Sequence, residues 1–107
     1  MQRGDVWWAT LASPLGRRPV LLVSRNAVYQ LRASVTIATI TRTVRGISTE
    51  VVLDEGDGMP TRCVVNLDNI FTVSKQVLAE YITTLSPAKI AQVDRAMVFA
   101  LGLGENV

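Results

Sequence analysis

Ser34-Val35-Thr36-Ile37-Ala38-Thr39-Ile40-Thr41 alternates between two sets of side chains, and most of its positions are β-branched. That is the period-two pattern of a strand. Upstream, Pro19-Val20-Leu21-Leu22-Val23-Ser24 is a continuous apolar run, as expected of a strand buried on both faces. Residues 25 to 31 lie between and leave room for no more than a helical turn or two. Further out, Val6-Trp7-Trp8-Ala9-Thr10-Leu11 is another strand run, followed by the turn signal Ser13-Pro14-Leu15-Gly16. Downstream come Thr49-Glu50-Val51-Val52-Leu53, the polar turn from Asp54 to Pro60, then two separate strands at Arg62–Leu67 and Ile70–Val73, and a last one at Tyr81–Leu85. So many short strands predict a small curled barrel, because closure removes exposed edges.

The last segment changes period. Ser86-Pro87 reads as an N-cap with proline at the first helical position. Ile90, Val93, Met97 and Leu101 then recur at spacings of three and four, marking one helix face. Gly102 and Gly104 supply the stop. Phe99 falls about 180° around the helix from Ile90, either as a lone exposed aromatic or as part of a subunit interface.

Composition bounds the rest. At 107 residues with 49 % hydrophobic and 19 % charged, the chain suits one domain, residues 1–107, with roughly two thirds of its surface buried, and is too apolar for disorder. No apolar run is long enough to cross a bilayer, and the start lacks a signal peptide's apolar stretch, so a cytosolic protein without membrane contact is expected. Cys63 is alone, which excludes an internal disulfide, and there is no histidine. Ser-His-Asp and Cys-His sites, ordinary zinc sites and two-histidine RNA cleavage are therefore excluded. Residues 1 to 45 carry seven arginines against one aspartate, whereas residues 46 to 107 carry four bases against eight acids. Arginine's planar fork suits phosphates and stacks on bases. The bias fits an anionic partner such as nucleic acid, or equally the solubility of a small apolar protein.

The remaining motifs carry little chemistry on their own. The acidic turn at 54–58 lacks the ligand ladder of a calcium loop and reads as a solvated hairpin turn; no metal or other cofactor is called for. Cys63 sits in an apolar strand, where a thiol is usually an inert small hydrophobe. Trp7 and Trp8 point to opposite faces of their strand, so one packs in the core while the other is free to stack on a base or cover an interface. Arg18 stands at the entry of the most apolar run and Thr41 at the exit of its expected neighbour. If those strands pair antiparallel, both lie at one end of the sheet, either as a phosphate cradle or as ordinary strand-edge polarity.

Four segments in order resemble the MazF/PemK family of toxin endoribonucleases. Arg3-Gly4-Asp5-Val6-Trp7 is similar to the family's opening, and Arg18-Pro19-Val20-Leu21-Leu22-Val23 to its second strand. Ala38-Thr39-Ile40-Thr41 resembles the strand that ends in threonine or serine. Val64-Val65-Asn66-Leu67-Asp68-Asn69-Ile70-Phe71-Thr72-Val73 fits the acid-amide segment. The resemblance implies a mainly β fold with α: an SH3-like barrel of five to seven short strands plus a C-terminal helix, assembled as a homodimer. It further implies metal-independent cleavage of single-stranded RNA at short sequences, with 2′,3′-cyclic phosphate and 5′-hydroxyl ends, and inhibition by a MazE-type antitoxin.

By the same resemblance Arg18, Thr41 and Asp68 fall on catalytic positions. Arg18 would stabilise the phosphorane, since guanidinium does not deprotonate at neutral pH. Thr41 would bond a phosphate oxygen or orient the leaving group. Asp68 would act as base where burial raises its pKa, or would cap a turn beside Asn69. Arg17, Arg42, Arg45, Asn66 and Asn69 are the candidate RNA contacts. Two departures stand out: the Ala12–Arg17 loop is short and lacks the family's glutamate or histidine, and Asn66 replaces an arginine. Two alternatives stay open, the first of them motivated by the short loop. One is a non-enzymatic toxin poisoning a protein such as gyrase, as the CcdB group does on the same barrel. The other is an RNA-binding module without scission.

Overall fold

A computed structural model describes residues 1–105. Strands β1 (Asp5–Thr10), β2 (Arg17–Leu22), β3 (Ser34–Thr41), β4 (Glu50–Leu53), β5 (Cys63–Ser74) and β6 (Leu78–Thr84) are joined by a one-turn helix α1 (Val28–Leu31) and followed by α2 (Pro87–Leu101). They form one sheet in the order β4-β5-β3-β2-β1-β6, antiparallel at every pairing.

The two runs expected at 62–67 and 70–73 are a single twelve-residue strand, β5. Ala38 pairs with Ile70 but the next residue, Thr39, pairs with Asn66, so Leu67, Asp68 and Asn69 bulge out of the ladder. The bulge also reverses the strand's alternation. Phe71 and Val73 pack with the core on one side of the sheet, whereas Leu67, Val65 and Cys63 enter the core on the other. A sequence pattern that changes phase midway looks like two strands, because side-chain period defines a strand only while register holds.

Each face of the sheet has its own core. Val6, Leu21, Ala38, Ile40, Leu53, Val65 and Leu67 pack under α2 through Val93 and Ala96. Ala9, Val20, Leu22, Val35, Ile37 and Tyr29 fill the other side. The β2 run is thus buried on both faces, as its unbroken apolar pattern requires. Tyr29 donates its hydroxyl to the Ser24 carbonyl at 2.8 Å, and burial pushes its phenol up to about 12.

The α2 limits follow from its caps. Ser86 accepts from the Lys89 backbone N–H, Pro87 occupies the first turn, and Gly102 ends the helix with φ at 65°, a left-handed conformation that favours glycine. Leu101 is the one helix-face residue that departs from expectation: it is exposed, on the wall of a surface groove that it lines with Val23, Ile70 and Met97.

No ladder joins β4 to β6, so the sheet is a curled half-barrel and not a ring closed by strand pairing. The turn after β4 spans the gap. Its Asp57 carbonyl accepts from the Thr83 hydroxyl of β6 at 3.0 Å, and Met59 is buried beside it. Gly58 has φ at 91° and would drive a Cβ into Thr83. The free edge of short β4 is capped by the Lys89 ammonium, which donates to the Val52 carbonyl at 2.9 Å.

Candidate active site

Val20 pairs with Thr39 across β2 and β3. Arg18 lies two residues before Val20 and Thr41 two after Thr39, so the antiparallel register carries both to the same end of the sheet. There they line one cleft of about 490 Å³. Its apolar floor includes Ile40, Met59 and Cys63, and Trp8 and Pro19 form a wall. Arg17, Arg18, Thr41 and Arg42 supply its polar groups.

Arg18 is anchored by one edge only. Its Nε donates to the Leu15 carbonyl at 2.9 Å, which ties the guanidinium to the short β1–β2 loop. No acidic side chain pairs with Arg18 or Arg42 among the described residues, so their terminal donors remain open to a phosphate. The Thr41 hydroxyl accepts from the Thr43 backbone N–H at 3.3 Å and keeps its own proton to donate. Arg17 is placed differently: its guanidinium lies over the Trp8 ring, 4.6 Å from the centroid. Burial, and next the charge of Asp57, push the Cys63 thiol up, so at neutral pH it is protonated and not a nucleophile.

The structure does not bring Asp68 into this cleft. It sits on the β5 bulge, exposed, and accepts from the Thr49 hydroxyl at 2.6 Å. The burial on which a base role would depend is missing. Its neighbours are equally occupied: Asn66 Oδ1 accepts from the Asp68 backbone at 3.0 Å, and Asn69 Nδ2 donates to the buried Thr39 hydroxyl at 2.9 Å. Arg45 lies on the exposed β3–β4 loop, outside the cleft, where its backbone and that of Gly46 donate to Glu50 Oε1 at 2.9 and 3.0 Å. In the acidic turn Asp54 accepts from the Gly56 N–H at 2.8 Å and Asp57 from the Asp54 N–H at 2.9 Å, and Asp57 also pairs with the Lys89 ammonium of α2 at 3.6 Å. Among the described residues no group of three or more metal-ligating acidic or thiol side chains converges.

Residue reading left open which tryptophan belonged to the core. Trp7 packs against the core that contains Ala9 and Val20, edge-on to Tyr81 at 6.0 Å, and Trp8 is the one that lines the cleft. Met59, Pro60 and Thr61 were missed because they come from a turn that reaches the cleft only once the sheet curls.

The family of PemK-like, MazF-like toxins of type II toxin–antitoxin systems matches residues 2–101. The chain belongs to this family. Among PemK/MazF relatives, the probable endoribonuclease MazF5 of Mycobacterium tuberculosis (strain ATCC 25618 / H37Rv) is 38% identical over 100 residues, 92% of this chain and 91% of the relative. The probable endoribonuclease MazF2 of Mycobacterium tuberculosis (strain CDC 1551 / Oshkosh) is 41% identical over 91 residues, 84% and 87% of the two chains. A solved endoribonuclease in complex with its cognate antitoxin, from a mycobacterial species, superimposes with a TM-score of 0.88 at 34% identity and covers 99% of both chains. In this PemK/MazF chain, two of the three positions expected to be catalytic, Arg18 and Thr41, share the cleft, and the third, Asp68, lies outside it.

Proposed function

We propose that this PemK/MazF chain is a toxin endoribonuclease that cleaves single-stranded RNA and is held inactive by a cognate MazE-type antitoxin. The observation that carries the reading is the convergence of Arg18 and Thr41, with unspent donors, in one cleft beside Trp8 and Arg42. The reaction is transesterification at phosphorus. The 2′-hydroxyl of RNA attacks the adjacent phosphorus and gives up its proton to solvent water, the bond to the 5′-oxygen breaks, and the leaving oxygen takes up a proton from solvent. The products are a 2′,3′-cyclic phosphate and a 5′-hydroxyl. Arg18 offers its fork to the two non-bridging oxygens, where negative charge grows in the transition state. Thr41 donates to a phosphate oxygen and aligns the leaving group. Trp8 supplies a face for a base, and Arg42 a further contact to the RNA backbone.

The toxin acts in the cytosol, where messenger, ribosomal and transfer RNA are within reach, and acts as a homodimer. Dimerisation is supported by the apolar side chains of Val98, Phe99 and Leu101, which α2 leaves exposed. Among the described residues no helix is long and apolar enough to cross a membrane.

The test incubates a long single-stranded RNA with the protein and with Arg18→Ala, both in excess EDTA, beside a DNA copy of the same sequence. Discrete cuts with 5′-hydroxyl ends, absent from the DNA and from the variant, support 2′-hydroxyl chemistry that needs Arg18 and no metal. Intact RNA from folded, antitoxin-free protein would transfer the reading to a toxin that binds a protein target.

A further inference from the structure

Arg17 lines the cleft, yet its guanidinium lies over an indole ring with one nitrogen turned to a carboxylate. Trp8 of β1 pairs with Pro19 on one side and with Glu80 of β6 on the other. Arg17 is the partner of Thr10, the next residue along β1 on the same face as Trp8. From that position its side chain crosses the Trp8 ring and reaches the far strand, where Nη2 lies 3.6 Å from Glu80 Oε2. Glu80 itself does not line the cleft. Two consequences follow from this placement. The guanidinium covers the ring face on which a base would stack, and its charge is answered by a carboxylate that is not part of the cleft.

The hold is a weak one. The two side chains are 54% and 70% exposed, and an ion pair in water at that separation is easily exchanged for another anion. A phosphate offers arginine a better partner than a distant carboxylate, because it accepts two parallel hydrogen bonds.

We propose that Glu80 is a positioning residue acting through Arg17, a latch that holds the guanidinium across Trp8 until an RNA strand displaces it. The backbone phosphate takes Arg17 from Glu80, and the uncovered Trp8 face takes a base. The exchange makes RNA entry a competition with an internal anion. It therefore sets the concentration at which the toxin engages RNA without touching the reacting atoms. The inference rests on the reading of this cleft as the RNA site.

Steady-state cleavage by wild type, Glu80→Gln, Arg17→Ala and the double variant tests it. Glu80→Gln lowers KM by about threefold, the scale of an exposed ion pair, while kcat moves by less. It also steepens the salt dependence of RNA binding by about 0.7 in log–log slope, because one phosphate contact is no longer exchanged for an internal one. In the Arg17→Ala background the same substitution leaves KM where it was. A KM that is unchanged or raised in Glu80→Gln overturns the latch. So does a fall that persists without Arg17, which would report only the removal of a negative charge near RNA. A second readout needs no RNA. With Trp7→Phe, Trp8 is the sole tryptophan, and Glu80→Gln shifts its emission as the guanidinium leaves the ring; an unchanged spectrum contradicts the hold itself. If wild type cuts no RNA, the cleft reading fails and the latch falls with it, whereas cutting with an unaltered KM in Glu80→Gln removes the latch alone.

Discussion

The cleft rim and the β5 bulge both carry arrays of polar side chains, and they differ in how those side chains spend their hydrogen bonds. At the rim, Arg18 gives only Nε to the Leu15 carbonyl, and Arg42 has no acidic partner among the described residues. At the bulge, each polar side chain has one atom held inside the fold, Asp68 Oδ2 by Thr49, Asn66 Oδ1 by the backbone of Asp68 and Asn69 Nδ2 by Thr39, and none of the three lines the cleft. A donor committed inside the fold contributes to stability, and one left open can be given to a ligand. The proposed function places its chemistry at the rim and leaves the bulge a structural part, although the family pattern draws candidate residues from both.

The sharpest way to break that division is at the rim. Arg18→Ala is expected to lower RNA cleavage by about 10²- to 10³-fold, the usual loss on removing a donor to the transition state, with the melting temperature held. Melting curves recorded beside the cleavage assay check it, and a parallel loss of stability would reclassify Arg18 as structural. At the bulge the effect reverses in kind. Thr39→Val removes the buried hydroxyl that accepts from Asn69, and is expected to destabilise the fold by about 1–2 kcal/mol in urea titrations, while protein that remains folded still cuts RNA.

Asp68→Asn is the direct contest between the two regions. Its expected cost is about 1 kcal/mol of stability, with cleavage falling by less than the loss from Arg18→Ala. A cleavage loss as large as that from Arg18→Ala would install Asp68 as a base after all and end the contrast. The smallest effect belongs to Cys63 in the cleft floor. Burial raises its thiol pKa, so the thiolate is scarce at neutral pH and appears only as pH rises beyond a free cysteine's range. Iodoacetamide labelling is expected to be slow at neutral pH and to accelerate later than for a free thiol. Cys63→Ala should leave cleavage unchanged within about a factor of two, as a side chain that supplies only packing would.

Much of the fold was legible in short stretches. The Ser86-Pro87 cap and the Gly102 stop bound α2 correctly, since capping is decided by residues within one turn of the helix end. The apolar β2 run announced burial on both faces, and the antiparallel expectation for β2 and β3 was enough to bring Arg18 and Thr41 together. The site was less legible. Asp68-Asn69 read as a break between two strands because a bulge and a turn use the same residues, and only the partner strand distinguishes them. Leu101 continued the helix period but not the burial, because period says which face a residue is on and not how far the core extends beneath it.

Sequence alone therefore determined most of the elements, the caps of α2, the two-sided burial of β2 and the absence of imidazole chemistry, and it named Arg18 and Thr41 as a pair only on condition that β2 and β3 run antiparallel. Those properties depend on residue type and on neighbours a few positions away. Tertiary structure alone decided that β5 is one strand with a bulge, that Asp68 faces Thr49 and not the cleft, that Trp8 and not Trp7 borders the cleft, and that Arg17 crosses Trp8 to meet Glu80. Each depends on which strands become neighbours and in what register, and a register is chosen by the whole sheet as it closes its cores on both faces.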